Sequence, residues 1–116
     1  EPERIGHGIR AAYDKKLMAE LVKRDIVLEV CPMSNLVTQA VENWEELEFI
    51  LKTLLQNNVK FTINTDWPET IVNAHLRKQY RTLLERKILT EEELTQCNKI
   101  AFESTFVPGR GLQAYL

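Results

Sequence analysis

Apolar positions along this chain follow two rhythms in turn. Short runs rich in β-branched residues read as strands, and longer stretches with apolar residues three to four apart read as amphipathic helices. Ile5-Gly6-His7-Gly8-Ile9 is the first strand-like segment. Asp14 can cap a helix whose stripe is Leu17, Met18, Leu21 and Val22, ending near Arg24-Asp25. Ile26 to Val30 is a second strand, closed by Cys31-Pro32. Met33 to Val41 reads as a polar loop. Asn43 and Glu46 have capping-box spacing ahead of Leu47, Ile50, Leu51, Leu54 and Leu55, and Asn57-Asn58 marks that helix's end. Val59 to Asn64 is the clearest strand, stopped by Thr65-Asp66-Trp67-Pro68. A helix is predicted from about Glu69 to Arg86, with a stripe of Val72, Leu76, Tyr80, Leu83 and Leu84. Thr90 and Glu93 form a second capping box, for a last helix through about Phe102. The segment from Val107, with Pro108, Gly109 and Gly111, reads as irregular.

Strand and helix alternating three times is the signature of βαβ crossovers and a parallel sheet. The strands start about 22 and then about 34 residues apart, around the roughly 30 that a βαβ unit takes. The third strand narrows the architecture. Val59, Phe61 and Ile63 share one face, while Lys60, Thr62 and Asn64 share the other. A doubly wound sheet is covered on both faces and tends to apolar strands throughout. One apolar and one polar face suits either a barrel with a wet mouth or an edge strand with a solvent-facing side. If the strand stays regular, Asp66 continues the parity of Thr62 and Asn64 and points inward with them.

Composition bounds the partners. The chain has 116 residues, enough for one domain at most, with 44% hydrophobic and 28% charged residues. Fifteen Lys and Arg against seventeen Asp and Glu give a net charge of −2, with no global field to draw nucleic acid or an anionic membrane. Apolar runs are far too short to span a bilayer. The first residue is not Met and no signal peptide is visible, so a processed product or a fragment is expected. Two cysteines, Cys31 and Cys97, cannot build a disulfide framework, and reduced thiols in the cytoplasm are the default.

Polar groups cluster just after each strand-like run: His7 in Arg4-Ile5-Gly6-His7-Gly8, then Cys31-Pro32-Met33-Ser34-Asn35, then Asn64-Thr65-Asp66-Trp67-Pro68. Ligands bind at the carboxyl ends of strands in parallel α/β folds. His7 could be a ligand, a proton handler or a turn histidine satisfied locally. Asp66 could bind a metal or cap the turn before Pro68. Cys31 reads as a buried small hydrophobe rather than a nucleophile. Ser34 and Asn35 read as hydrogen-bonding loop backbone, and His75 as a surface residue in mid-helix. The His, Cys and Asp positions show no metal-ligand spacing such as HExxH or CxxC.

At these three clusters, in this order, the chain resembles the adenosine deaminase family of metal-dependent hydrolases. The matching stretches are Arg4–Gly8, Glu29–Asn35 and Thr62–Asp66 followed by Pro68, and the similarity runs to about Phe106. The resemblance implies an α/β fold: part of a TIM (β/α)8 barrel, with three parallel strands equivalent to the sixth to eighth and their flanking helices. Residues 1–106 would form this carboxyl-terminal segment and 107–116 a tail. A whole barrel takes about 250 residues. His7 matches the family histidine that contacts the metal-bound attacking water. Asp66 matches the aspartate that binds the metal and that water. The implied reaction is hydrolytic removal of the 6-amino group of adenosine or a related purine nucleoside by a zinc-activated water. The Cys31–Asn35 stretch would shape the site. The family's His-x-His pair, third metal-binding histidine and catalytic glutamate lie upstream of this segment, so zinc would need ligands from outside it. On that account the segment alone is expected to be inactive.

Trp67 stands where the family commonly has a second aspartate that accepts from a purine ring nitrogen. An indole only donates, so Trp67 would bind substrate by stacking on a base. It favours a modified purine or another amine substrate over plain adenosine. A non-catalytic alternative is a self-associating α/β piece, whose unpaired strand edges would invite pairing.

Overall fold

The computed structural model describes residues 1–69 and 75–107. Its elements run β1 (Arg4–Gly6), a 3-10 turn (Ile9–Tyr13), α1 (Lys15–Lys23), β2 (Val27–Val30), α2 (Pro32–Val37), α3 (Trp44–Gln56), β3 (Phe61–Ile63), α4 (Leu76–Glu85) and α5 (Glu91–Glu103). The strands form one parallel sheet in the order β1-β2-β3. Ile5 lies opposite Leu28 and Leu28 opposite Phe61, while Gly6, Glu29 and Thr62 align across the next row.

That register sorts the side chains. Leu28, Val30, Phe61 and Ile63 fall on one face and pack into a core with Met18 and Leu21 of α1, Leu47, Ile50, Leu51 and Leu54 of α3, and Leu83, Leu94 and Cys97 from the last two helices. The other face carries Arg4, Glu29 and Thr62. Arg4 pairs with Glu29, donates to the Ser104 carbonyl at 3.0 Å and lies over the Phe106 ring, so the end of α5 reaches this polar face. Two-faced strands under a helical layer on the apolar side match the barrel expectation. Thr62, however, is buried rather than wet, and Asn64 Nδ2 donates to its hydroxyl at 2.8 Å.

Helix starts follow the capping chemistry. Asp14 accepts from the Lys16 and Leu17 amides, and Thr90 with Glu93 completes a reciprocal capping box. Asn43 accepts from the Glu46 amide, but Glu46 turns its own carboxylate to the Glu42 amide and the Tyr13 hydroxyl. The Asn43 box is therefore only half formed.

Three expectations need correction. The segment after Cys31 is loop only from Thr38 on: Pro32 at the first turn, where a missing N–H costs nothing, starts the six-residue α2. Within α4 the buried positions are Gln79 and Leu83, while Leu76 and Leu84 are exposed. Gln79 replaces an apolar contact with hydrogen bonds, donating to the Asn64 carbonyl at 3.0 Å and accepting from the Met33 amide. His75 is not in mid-helix. It is the exposed residue that precedes α4, and its carbonyl accepts from the Gln79 amide. Val72, most of the start predicted for that helix and the tail beyond Val107 lie outside the described residues.

Candidate active site

The site is built from the carboxyl ends of all three strands. β1 ends at Gly6, and the His7 amide continues the ladder by donating to the Glu29 carbonyl at 2.8 Å. The chain then turns sharply, because His7 and Gly8 both take left-handed conformations, with φ of 59° and 66°. At Gly8 a side chain is also excluded by space. A Cβ there would sit 2.7 Å from a methyl of Leu28. On the far strand, Asp66 has φ 62°. It lies beyond the end of β3, so this turn, not strand parity, sets its direction.

The left-handed residues are informative as a set. Asp25, Gln39, Asn58 and Lys87 each stand one residue past the cap of a helix, where this conformation is the usual terminator. Of the described non-glycine residues, only His7 and Asp66 adopt it without a helix to end. Backbone of this kind clusters at functional sites, where surrounding contacts hold it.

Those contacts come from α2. Ser34 Oγ donates to Asp66 Oδ2 at 2.6 Å. Asn35 Nδ2 lies 3.2 Å from His7 Nδ1. The result sets His7 Nε2 3.8 Å from Asp66 Oδ2. Ser34 and Asn35 are each 3% exposed, whereas His7 and Asp66 keep roughly two-fifths of their side-chain surface open. The expectation that Ser34 and Asn35 serve loop backbone is thus incomplete, since their side chains hold the two candidate residues. Short-range sequence patterns carry no signal for partners 28 and 32 positions apart.

Cys31 lies beneath. Its thiol contacts the Glu29 carbonyl at 3.6 Å. Burial, reinforced by the nearby carboxylates of Asp66 and Glu29, pushes its pKa up to about 12, so it stays protonated and unreactive at neutral pH. Trp67 follows Asp66 with 64% of its surface exposed. Two clefts flank the His7–Asp66 pair. One of about 310 Å³ also reaches Ile9, Thr38 and Ala40, and one of about 240 Å³ reaches Gly6, Glu29 and Asn64 on the polar face. A larger cavity of about 470 Å³ opens at the other end of the strands, among Arg4, Asp25 and Lys60. There Lys60 pairs with Asp25 at 2.7 Å, and Arg4 pairs with Glu29 on the polar face.

Candidate ligand atoms of His7, Cys31 and Asp66 lie within 4.8 Å of one another. Zinc accepts such nitrogen, sulfur and oxygen donors in a tetrahedron. The donor types fit, but the Cys31 proton would have to leave. A catalytic zinc site takes three protein ligands and keeps a position open, so the trio by itself would be at most a share of one. No described helix is long and apolar enough to cross a membrane.

Comparison with known proteins identifies the family. A match to the adenosine deaminase family spans residues 1–115. The chain is 36% identical to adenosine deaminase of Shewanella denitrificans over 90% of its own length, and 38% identical to aminodeoxyfutalosine deaminase of Streptomyces coelicolor over 94%. It is 35% identical to adenine deaminase of Wolinella succinogenes over 90%. It spans 30%, 27% and 31% of those three proteins. The crystal structure of adenine deaminase from Arthrobacter aurescens superposes on 92% of the chain with a TM-score of 0.81 at 26% identity, using 32% of that protein. The three parallel strands and their helices are thus a part of a TIM barrel, and the chain belongs to the adenosine deaminase family.

Proposed function

We propose that this chain is the carboxyl-terminal part of a zinc-dependent barrel that hydrolytically deaminates a 6-aminopurine or its nucleoside. The reading rests on one observation above the others: His7 Nε2 and Asp66 Oδ2 face each other at 3.8 Å, held there by Asn35 and Ser34. Zinc supplies a water ionised at neutral pH. Asp66 is the residue that would hold it here, through a carboxylate oxygen. His7 Nε2 faces the same space and is placed to contact the attacking oxygen. Ser34, by donating to Oδ2, fixes which way the carboxylate points. The remaining metal ligands would come from residues outside this segment.

Substrate choice turns on Trp67. The relatives are adenosine, adenine and aminodeoxyfutalosine deaminases. An exposed indole beside Asp66 can stack on a purine but cannot accept from its ring nitrogen. This favours a purine substituted differently from adenosine. The free thiols of Cys31 and Cys97 suit a reducing, cytoplasmic setting.

The test is ammonia release from a panel of 6-aminopurines, measured with the zinc-loaded chain alone and joined to the upstream part of its barrel. The joined protein is expected to deaminate at least one of them, and the chain alone none. Asp66→Ala should lower the rate by at least about a hundredfold, since it removes charge placed at the reacting centre. A zinc-loaded joined protein inactive on every aminopurine would overturn the proposal. Best activity on plain adenosine would overturn the role given to Trp67.

A further inference from the structure

We infer that Gln79 is a positioning residue for the candidate site: its side-chain amide ties the start of α2 to the exit of β3, and so sets Ser34 and Asn35 against Asp66 and His7. Gln79 lies on α4, 46 positions beyond Met33 in sequence, and is 1% exposed. A buried amide costs free energy unless both of its ends are hydrogen-bonded. Here they meet opposite kinds of partner. Gln79 Nε2 donates to the Asn64 carbonyl at 3.0 Å, and Gln79 Oε1 accepts from the Met33 amide at 3.4 Å. One partner only accepts and the other only donates. The two together fix which way the amide faces, and they require a group that carries both a donor and an acceptor.

Each end meets a need that the neighbouring sequence leaves open. The first amides of a helix have no carbonyl within it to bond. In α2 the cap residue is Cys31, whose side chain makes no capping bond, and Pro32 has no N–H. Met33 carries the first N–H of the helix, and Gln79 is its acceptor. At the other end, Asn64 is fastened to the sheet. Its amide donates to the Val30 carbonyl at 2.8 Å and its side chain to the Thr62 hydroxyl at 2.8 Å. Its carbonyl, the first beyond β3, turns to Gln79. This orients the peptide unit that leads to Asp66, whose own φ is left-handed.

The two segments joined in this way hold the site. Directly after Met33, Ser34 donates to Asp66 Oδ2 and Asn35 reaches His7 Nδ1. A swing of the short α2 about its start would move both contacts together. Leu83, one turn further along α4, is also 1% exposed and packs into the apolar core. The helix therefore has an apolar anchor and a polar one, and the polar one bonds to the segments that carry the site. The consequence for catalysis rests on the deaminase reading: the amide would act on the reaction only through the placing of Asp66 and His7.

The test compares Gln79→Met, which keeps the length and removes both bonds, with Leu83→Val, which weakens the same helix and leaves them. In NMR of this chain, Gln79→Met is expected to speed exchange of the Met33 amide by about five- to tenfold, the weight of one hydrogen bond. It should also weaken the cross-peaks that link Ser34 to Asp66 and Asn35 to His7. Leu83→Val should do neither, whatever stability it loses. In the protein joined to the upstream part of its barrel, Gln79→Met should lower kcat about tenfold with KM within about twofold. If Gln79→Met does not fold, Gln79→Glu takes its place. As a carboxylate it keeps the acceptor for Met33 and loses the donor to Asn64, so it should weaken the Ser34–Asp66 cross-peaks while Met33 stays protected. In the unmodified chain, the Gln79 side-chain amide protons should give cross-peaks to Asn64, and their absence overturns the inference whatever the variants do. Unchanged Met33 exchange and site contacts in Gln79→Met, or equal changes in Leu83→Val, overturn it too and leave the deaminase proposal standing. A joined protein inactive on every aminopurine would do the reverse, since the exchange and cross-peak results do not depend on activity.

Discussion

The residues that matter most are those held in left-handed backbone conformations. His7, Gly8 and Asp66 all sit in the left-handed region, and two of them carry the candidate chemistry. Gly8 is what allows the turn after β1 to close over Leu28. Gly8→Ala meets both a disfavoured φ and a contact of 2.7 Å, so it is expected to destabilise the chain by about 2–4 kcal/mol in urea unfolding. An unchanged midpoint would show that Leu28 moves aside freely. An apolar run before each marked His7 and Asp66 as candidates in the sequence, but only the family resemblance gave them roles. Their fixing partners carried no such mark. Ser34 and Asn35 look like any polar loop residues until α2 forms and turns them inward, and Gln79 sits where an apolar residue was expected. Long-range hydrogen bonds leave no local pattern to read.

Among the elements, legibility followed length and capping. α3 and α5 are 13 residues each, with periodic stripes and side-chain caps, and both were predicted close to their observed limits. α2 was missed because six residues make less than two turns, too few for a period to show. Its only signal was Pro32 at the first position. The α5 cap has a measurable share in stability. Thr90→Ala removes one half of the reciprocal box and should cost about 1 kcal/mol, visible as a lower denaturant midpoint with an unchanged slope. Retention of the midpoint would mean that packing of Leu94, Cys97 and Ile100 alone holds the helix start.

At the scale of the whole molecule, the sheet has three strands, and β1 and β3 each have one hydrogen-bonded neighbour among the described residues. The alternating pattern implied parallel strands, but only the ordered set of motifs implied a barrel, because strand periodicity is silent about what pairs with the outer strands. Unpaired edges beside a polar face are prone to pair with other chains. The chain on its own is therefore expected to associate at rising concentration in sedimentation velocity. A single monomeric species across about a hundredfold in concentration would contradict this. The three-strand origin of the site has a kinetic side as well. Asn35 cannot reach His7 until the first crossover has closed, and Ser34 cannot reach Asp66 until the second has. Each closure carries an entropic cost that its own contacts repay only afterwards. The His7–Asp66 pair, 59 positions apart in sequence, is thus a product of completed folding and cannot template it. A probe of the His7–Asp66 contact would report closure of the second crossover rather than the first.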